Sequence, residues 1–291
     1  MLRLITRGFQ KKKKMCKSAP KLLDKYTIIK ELGTGGTSVV YKVMDNNTYN
    51  YYTCKCLTEK LDVKGRREVI VLKKIPKSPY FPQLIETISG DNAQYNIITE
   101  YIPGSDLFDW FISAVKGKKL LDENIVKKIF KNMVIITCKL HSLGFVHLDI
   151  KLENFILRPS SDYHLTLIDF ASVHAARTHG SVSCVVGTRG YSPYEIFRGD
   201  YSPSSDVWNL GVCLWILLTA TSAFNHRGLE YGQIAVTKSS FKFPTKKHNQ
   251  CKHLMSEDAF DLLEKMLIID PKKRIPVDEI LNHRWFQQLI I

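Results

Sequence analysis

HLDIKLEN, residues 147–154, followed fifteen residues after Asn154 by Asp169-Phe170-Ala171, is the strongest chemical signal in this chain. Around it the sequence changes character. From Tyr26 to Leu57, short β-prone runs (YTIIKEL, SVVYKVM, YNYYTCKCL) are punctuated by glycines and by Asp45-Asn46-Asn47, which predicts three antiparallel strands with a tight turn. Arg66 to Ile75 spaces apolar residues at 69, 72 and 75 with charges between them, the pattern of one amphipathic helix. Two further strands are expected around Leu84–Ile88 and Tyr95–Glu100. After Pro103-Gly104 the pattern turns helical, as in Glu123–Leu143 and Trp208–Thr219. The expected fold class is α+β and bilobal: a basic arm over 1–23, a β-rich lobe over 24–102, and a mostly helical lobe over 103–291, with a ligand cleft between the lobes.

Upstream, Gly33-Thr34-Gly35-Gly36-Thr37-Ser38-Val39-Val40 lies between two predicted strands. Glycines let the backbone approach anionic oxygens closely, so that amide groups can cradle phosphates. The stretch is not a Walker loop, because no Gly-Lys-Ser/Thr follows, nor a dinucleotide fingerprint, because the next element is a strand. A glycine-rich hairpin turn alone is weak evidence. Lys55 strengthens it: mid-strand in TCKCL, it faces opposite to Cys54 and Cys56 by the two-residue period. A strand lysine pointing into a cleft needs an anion. Phosphate oxygens supply one, and Glu68 on the following helix supplies a second. The bland alternative is a solvated edge lysine and a surface glutamate.

Taken in order and spacing, the chain resembles the eukaryotic protein kinases from about Tyr26 to Phe286. The carriers are the glycine-rich loop, the strand lysine, the helix glutamate, HLDIKLEN, the metal aspartate, GTRGYSPYE (187–195), the helix with Asp206 and Trp208, and Arg274. The resemblance implies transfer of the ATP γ-phosphoryl group to serine or threonine hydroxyls of proteins, with Mg²⁺ or alternatively Mn²⁺. Such transfer spreads negative charge over phosphate oxygens, so alignment and positive counter-charge matter more than covalent chemistry.

By the same resemblance Asp149 accepts or orients the substrate hydroxyl proton, and Lys151 neutralises the γ-phosphate. Lys55, paired with Glu68, holds phosphates, and Asn154 and Asp169 supply hard oxygen ligands to the metal. Thr188 would bond Asp149 and Lys151; it and Lys151 favour serine/threonine over tyrosine as acceptor. For adenosine, Thr99 corresponds to the gatekeeper, and backbone groups of Glu100 and Ile102 would bond the adenine edge. Val40, Thr53 and Ile156 would sandwich the base, Thr53 standing where alanine is usual, and Asp106 would reach the ribose. Leu32, Gly33, Thr34, Gly35, Gly36 and Glu153 complete the implied nucleotide contacts. Glu195 with Arg274, and Asp206 on the catalytic-loop backbone, are implied as structural.

Four positions depart from the family pattern. Ser38 replaces the third glycine of the loop. Leu148 replaces the arginine that normally receives an activation-loop phosphate, and Cys184 stands where many relatives carry the phosphothreonine, so activity without phosphorylation at Ser181 or Ser183 is expected. Ala171 replaces a glycine, which narrows the backbone excursions of that turn. Tyr194 sits where proline is usual, with Pro193 one position earlier. These departures keep a second reading open, a pseudokinase scaffold without transfer activity, although Lys55, Asp149, Asn154 and Asp169 are all in place.

The formal net charge is +14, and residues 1–23 carry eight Lys and Arg with no acid, leaving +6 for the rest. That arm reads as a solvated disordered segment, a nuclear-import signal, a nucleic-acid phosphate contact or an organelle presequence. A nucleic-acid-binding function through it is compatible with the kinase reading. By resemblance Asp106 and Glu153 contact arginines upstream of the target hydroxyl, which favours Arg/Lys-rich protein substrates, whereas Ile216 occupies a place where a further acid is often found. Within the family, HLDIKLEN and SPYE look similar to the baculoviral very-late serine/threonine kinases. That would imply a viral protein acting in the host nucleus or nucleocapsid on a protamine-like DNA-condensing protein. DPKKRIPVDEILNHRWF (270–286) is instead similar to the calcium/calmodulin-regulated group. Seven scattered cysteines without metal-ligand spacing, and no secretory signal, point to reduced thiols in an intracellular (cytoplasmic or nuclear) protein. No apolar run reaches the ~18 residues of a membrane span, so no membrane partner is expected. The sequence sets no oligomeric state.

Overall fold

The computed structural model describes residues 20–35, 38–57, 63–89, 95–117, 120–159, 162–177, 180–181, 186–224 and 252–287, with side chains at most of them. Gly36, Ser183, Cys184 and residues 1–19 of the arm lie outside the described residues. The chain divides into two compact units. One holds the described residues up to Gly104 together with Thr166–Ala171, and the other holds Ser105–Leu165 and the residues from Ser172 onward.

The N-terminal unit is a five-stranded antiparallel sheet, with strands β1 (Tyr26–Thr34), β2 (Ser38–Asp45), β3 (Tyr51–Leu57), β4 (Leu84–Ser89) and β5 (Tyr95–Glu100) in the order β1-β2-β3-β5-β4. The turn between β2 and β3 closes because Asp45 Oδ1 accepts the amides of Asn47 and Thr48 at 2.9 and 2.8 Å. Helix α2 (Val63–Lys74) buries Val69 and Leu72 as its spacing predicts, with Ile75 just beyond its end, and also buries Glu68 and Val71. One face of the sheet is sealed by Val43, Cys54, Cys56 and Ile98 with Leu22 and Tyr26. Leu22 belongs to a short helix, α1 (Pro20–Lys25), so the last residues of the segment read as a solvated arm, 20–23, are part of a folded element, and Leu22 is fully buried.

A second difference from the sequence reading concerns Thr166–Ala171, assigned by position to the helical lobe. These residues pack with the sheet unit. The Leu167 N–H donates to the Tyr80 carbonyl at 2.9 Å, the Thr166 hydroxyl to the Pro79 carbonyl at 2.8 Å, and the Phe170 ring meets Phe81 edge-on at 6.1 Å. Domain limits drawn by composition cannot register a six-residue excursion held by backbone hydrogen bonds.

The other unit begins with β6 (Ser105–Asp106), followed by α3 (Leu107–Ala114), α4 (Glu123–Ser142), β7 (Phe145–Val146), β8 (Phe155–Leu157), β9 (Leu165–Leu167, which leads into the excursion), β10 (His174–Ala175), β11 (Gly180–Ser181), α5 (Tyr194–Phe197), β12 (Asp200–Tyr201), α6 (Pro203–Thr219), α7 (Glu257–Met266) and α8 (Arg284–Gln287). α6 is buried on every side from Ser205 to Thr219, the property of a helix at the centre of a core rather than at its edge. It starts at a Ser202–Ser205 capping box with proline in its first turn. Glu123, in the first turn of α4, ties the C-terminal helices in. Its carboxylate accepts from the Ser256 amide (2.8 Å), the Ser256 hydroxyl (2.6 Å) and the Trp285 indole N–H (2.7 Å). No helix among the described residues is long and apolar enough to cross a membrane.

Arg274 and Glu195 form a two-pronged ion pair in this unit. The Arg274 side chain is fully buried, and its guanidinium also donates to the carbonyls of Ile268, Ser204 and Ile269. Arg274→Ala leaves the Glu195 carboxylate without its cation in a dry site and should cost about 3–5 kcal/mol of stability. Urea unfolding checks this, and a shift of the midpoint under a tenth of its value would show the pair to be dispensable.

Candidate active site

In the N-terminal unit the sheet register aligns the predicted nucleotide residues across three strands. Val40 on β2 lies opposite Lys55 on β3, which lies opposite Ile97 on β5; one step along, Thr53 is opposite Thr99. Because strand residues alternate sides, Lys55 and Thr53 share the face that Cys54 and Cys56 do not use. Lys55 Nζ reaches Glu68 Oε2 at 2.8 Å and Asp169 Oδ1 at 2.6 Å. Burial works against the ammonium, but the Asp169 and Glu68 carboxylates outweigh it and push the Lys55 pKa up. Burial also pushes the Glu68 carboxyl up, opposed by the attraction of Lys55 and reinforced by Asp169. Asp169 adopts left-handed backbone, φ 63°, and the Ala171 amide lies 3.4 Å from its Oδ1.

The glycine-rich turn leaves room. The Gly35 amide donates to the Ser38 carbonyl at 2.8 Å, and a side chain added at Gly33 would meet nothing within 4 Å. Among the described residues that space is open, which suits a phosphate cradle. Thr34 is exposed and its hydroxyl donates to Glu31; Leu32 is exposed; Glu100 and Ile102 lie at and just after the end of β5.

In the helical unit the residues of HLDIKLEN and Thr188 converge. Thr188 Oγ1 donates to Asp149 Oδ1 at 2.6 Å, while Lys151 Nζ donates to Thr188 Oγ1 at 2.7 Å and lies 3.1 Å from Asp149 Oδ2. Asn154 commits its amide nitrogen to the Asp149 carbonyl at 2.8 Å, which leaves its side-chain oxygen as a hard donor. That oxygen, and separately the Asp169 carboxylate of the other unit, have the donor chemistry that suits Mg²⁺. Among the described residues no group of three or more His, Cys, Asp or Glu could hold a metal ion by itself.

The loop is fixed from beneath by Asp206 of α6, fully buried, whose carboxylate accepts the amides of His147 and Leu148, each at 2.8 Å, and contacts His141 Nε2 at 2.8 Å. Asn209, one turn along α6, donates to the Ile150 carbonyl at 3.3 Å. Sequence reading missed His141, which contacts the Asp206 carboxylate, and Asn209, which acts on the backbone; only the helical spacing of 206 and 209 hints at the latter.

Asp106 pairs with Ile156 in the β6–β8 ladder and caps α3, its Oδ1 accepting the Asp109 amide at 2.9 Å. The ribose role expected of it therefore sits on a residue already used to start a helix. Glu153 lies in the same unit, 3.4 Å from the Tyr191 hydroxyl. Its carboxyl is pushed above the usual range, first by burial, with Asp149 and Asp106 adding to the effect against the pull of Lys151. Tyr191 is pushed up likewise, by burial and then by Glu153.

Replacing Lys55 by methionine removes the charge that holds the Glu68 pKa down. The Glu68 carboxyl should then titrate at higher pH than in the intact chain, followed by carboxyl ¹³C chemical shift. An unchanged midpoint would mean that the two groups are not coupled.

Compared with known proteins, residues 26–286 match the family model described as protein kinase domain. The chain is similar to calcium-dependent protein kinase 3 of Oryza sativa subsp. japonica, at 30% identity over 91% of this chain and 48% of that one. It is similar to serine/threonine-protein kinase cds1 of Schizosaccharomyces pombe, at 30% over 90% and 58%. A third likeness is to calcium/calmodulin-dependent protein kinase type IV of Mus musculus, at 29% over 90% and 55%. The chain thus spans about half the length of the curated relatives it matches.

Proposed function

We propose that this chain, which belongs to the protein kinase family, transfers the γ-phosphoryl group of ATP to serine or threonine hydroxyls of protein substrates. The observation that carries the reading is the triangle of Asp149, Lys151 and Thr188. A carboxylate accepting a short hydrogen bond from one hydroxyl is placed to accept or orient the proton of another, and the adjacent ammonium offsets charge on a transferring phosphate. In the N-terminal unit Lys55, held by Glu68 and Asp169, supplies a cation for the phosphates of the nucleotide. Mg²⁺, with Mn²⁺ as a substitute, would neutralise phosphate charge when bound; Asn154 in the helical unit and Asp169 in the N-terminal unit each carry the hard oxygen donors that suit it.

For substrates we read Arg/Lys-rich proteins. Support comes from Asp106 and Glu153, carboxylates close enough in the helical unit that Asp106 adds to the upward push on the Glu153 carboxyl. A viral protamine-like DNA-condensing protein is the candidate suggested by the baculoviral resemblance of HLDIKLEN and SPYE. Phosphates on such a protein weaken its grip on DNA because each cancels more than one positive charge. Residence in the nucleus, and contact of the basic arm with nucleic acid or an import receptor, go with that proposal.

Transfer of ³²P from ATP to an arginine-rich protein by the intact chain, lost in Asp149→Asn, tests the activity. Equal incorporation in the two forms, or none in either with Mg²⁺ or Mn²⁺, favours the scaffold reading instead. The raised carboxyl of Glu153 adds a pH test. Its charged form attracts a basic peptide, so KM for that peptide should climb as pH falls toward a pKa above the ordinary carboxylate value. Glu153→Gln should raise KM at neutral pH and flatten that limb; identical profiles in both proteins would remove Glu153 from substrate recognition.

A further inference from the structure

The segment that brings Thr188 to Asp149 is anchored at a place that none of the sequence motifs marks. Leu148, immediately before Asp149, has left-handed backbone, φ 64°, and its side chain is buried in an apolar cluster with Val146, Val186, Ile196 and Tyr201. Tyr201 contributes more than area to this cluster. Its hydroxyl donates to the Ala175 carbonyl at 2.9 Å, and its ring meets His174 at 5.1 Å. β11 and β12 pair antiparallel, Gly180 opposite Tyr201 and Ser181 opposite Asp200. The ring lies so close over Gly180 that a Cβ at that position would fall 2.2 Å from ring carbon Cζ and 2.3 Å from Cε1. Glycine at 180 is therefore a condition of the seat.

One side chain thus links three parts of the unit. β10, which supplies His174 and Ala175, pairs with β7 directly before HLDIKLEN. β11 lies under the ring. The apolar cluster reaches Leu148 on one side and Val186 on the other. Val186 is followed by Gly187, at φ +86°, where a Cβ would come within 2.5 Å of the Leu148 carbonyl oxygen, and then by Thr188. The close backbone approach of Gly187 to Leu148 and the hydrogen bond of Thr188 to Asp149 are consecutive contacts on a stretch whose apolar footing includes Tyr201.

We propose that Tyr201 is a positioning residue for phosphoryl transfer: seated on Gly180 and bonded to Ala175, it holds the segment so that Thr188 engages Asp149 and Lys151 without an activating phosphate. It touches no reacting atom and acts through Leu148 and Val186. The proposal rests on the kinase reading above. Apolar packing performs here what an arginine–phosphate contact would otherwise do, and unlike such a contact it is not weakened by salt.

The test uses the full chain and its Tyr201→Ala, Tyr201→Phe and Gly180→Ala variants, with steady-state kinetics against ATP and an arginine-rich peptide, and circular dichroism to verify folding. A misplaced catalytic constellation typically costs up to about 100-fold, so Gly180→Ala and Tyr201→Ala should lose about 10–100-fold in kcat with KM for ATP within about twofold. Tyr201→Phe keeps the ring, loses one hydrogen bond, and should retain most of the rate. Phosphatase treatment of the intact chain should leave its rate unchanged. Folded Gly180→Ala with undiminished kcat overturns the proposal, as does loss of the intact chain's rate on phosphatase treatment. If Tyr201→Ala fails to fold, Gly180→Ala and Tyr201→Phe decide. An intact chain that transfers no phosphate at all defeats the kinase reading itself, an outcome distinct from active variants, which defeat only the role of Tyr201.

Discussion

The carboxylate of Asp206 is fully buried, and it accepts hydrogen bonds from two successive amides, those of His147 and Leu148, while contacting His141. Leu148 is left-handed, a conformation that costs a leucine energy. A buried carboxylate needs donors, the loop supplies two, and the turn at Leu148 leads directly into the short stretch that carries Asp149, Lys151 and Asn154. α6, buried all round, gives that carboxylate a fixed origin, and Asn209 repeats the device one turn later on the Ile150 carbonyl.

The N-terminal unit solves a related problem with a different residue. Lys55 cannot lie in a half-dry site unless anions meet it, and two do. Glu68 comes from a helix whose neighbouring residues Val69, Val71 and Leu72 are buried, so its carboxylate is delivered by packing. Asp169 arrives on the six residues that join this unit from far along the sequence, pinned by the carbonyls of Pro79 and Tyr80 and by Phe170 on Phe81. The register carries the rest, because the strand position that faces Lys55 away from Cys54 and Cys56 puts Thr53 on its side as well.

How much of this the sequence disclosed follows from the range of the forces involved. The five strands and the helix spanning 63–74 were legible because alternation and helical spacing are local. The candidate catalytic residues could be singled out because charge and oxygen-donor chemistry restrict residue type at each position, whatever lies between. Less visible were contacts whose partner is backbone: Asn209 on the Ile150 carbonyl, the capping use of Asp106, and the return of Thr166–Ala171 to the sheet unit. A carbonyl or an amide belongs to every residue, so nothing in a residue's identity announces who will bond it. Leu22 was hidden for another reason: it follows a long basic run, and the composition of that run outweighed one apolar side chain that the sheet covers completely.

Leu148 shows how a departure from a family pattern can be read physically rather than as a loss. An arginine at that position would present a charge that needs a phosphate to answer it. Leucine instead has to be covered by apolar groups, and Val146, Val186, Ile196 and Tyr201 cover it to near-complete burial. Those partners come from the strand before the catalytic loop and from the segment after Asp169, the two stretches a phosphate would otherwise join. Burial of a leucine contributes about 1.5–3 kcal/mol, enough to bias a loop between conformations but too little to rebuild one, so the backbone pairing of β11 with β12 has to do part of the holding.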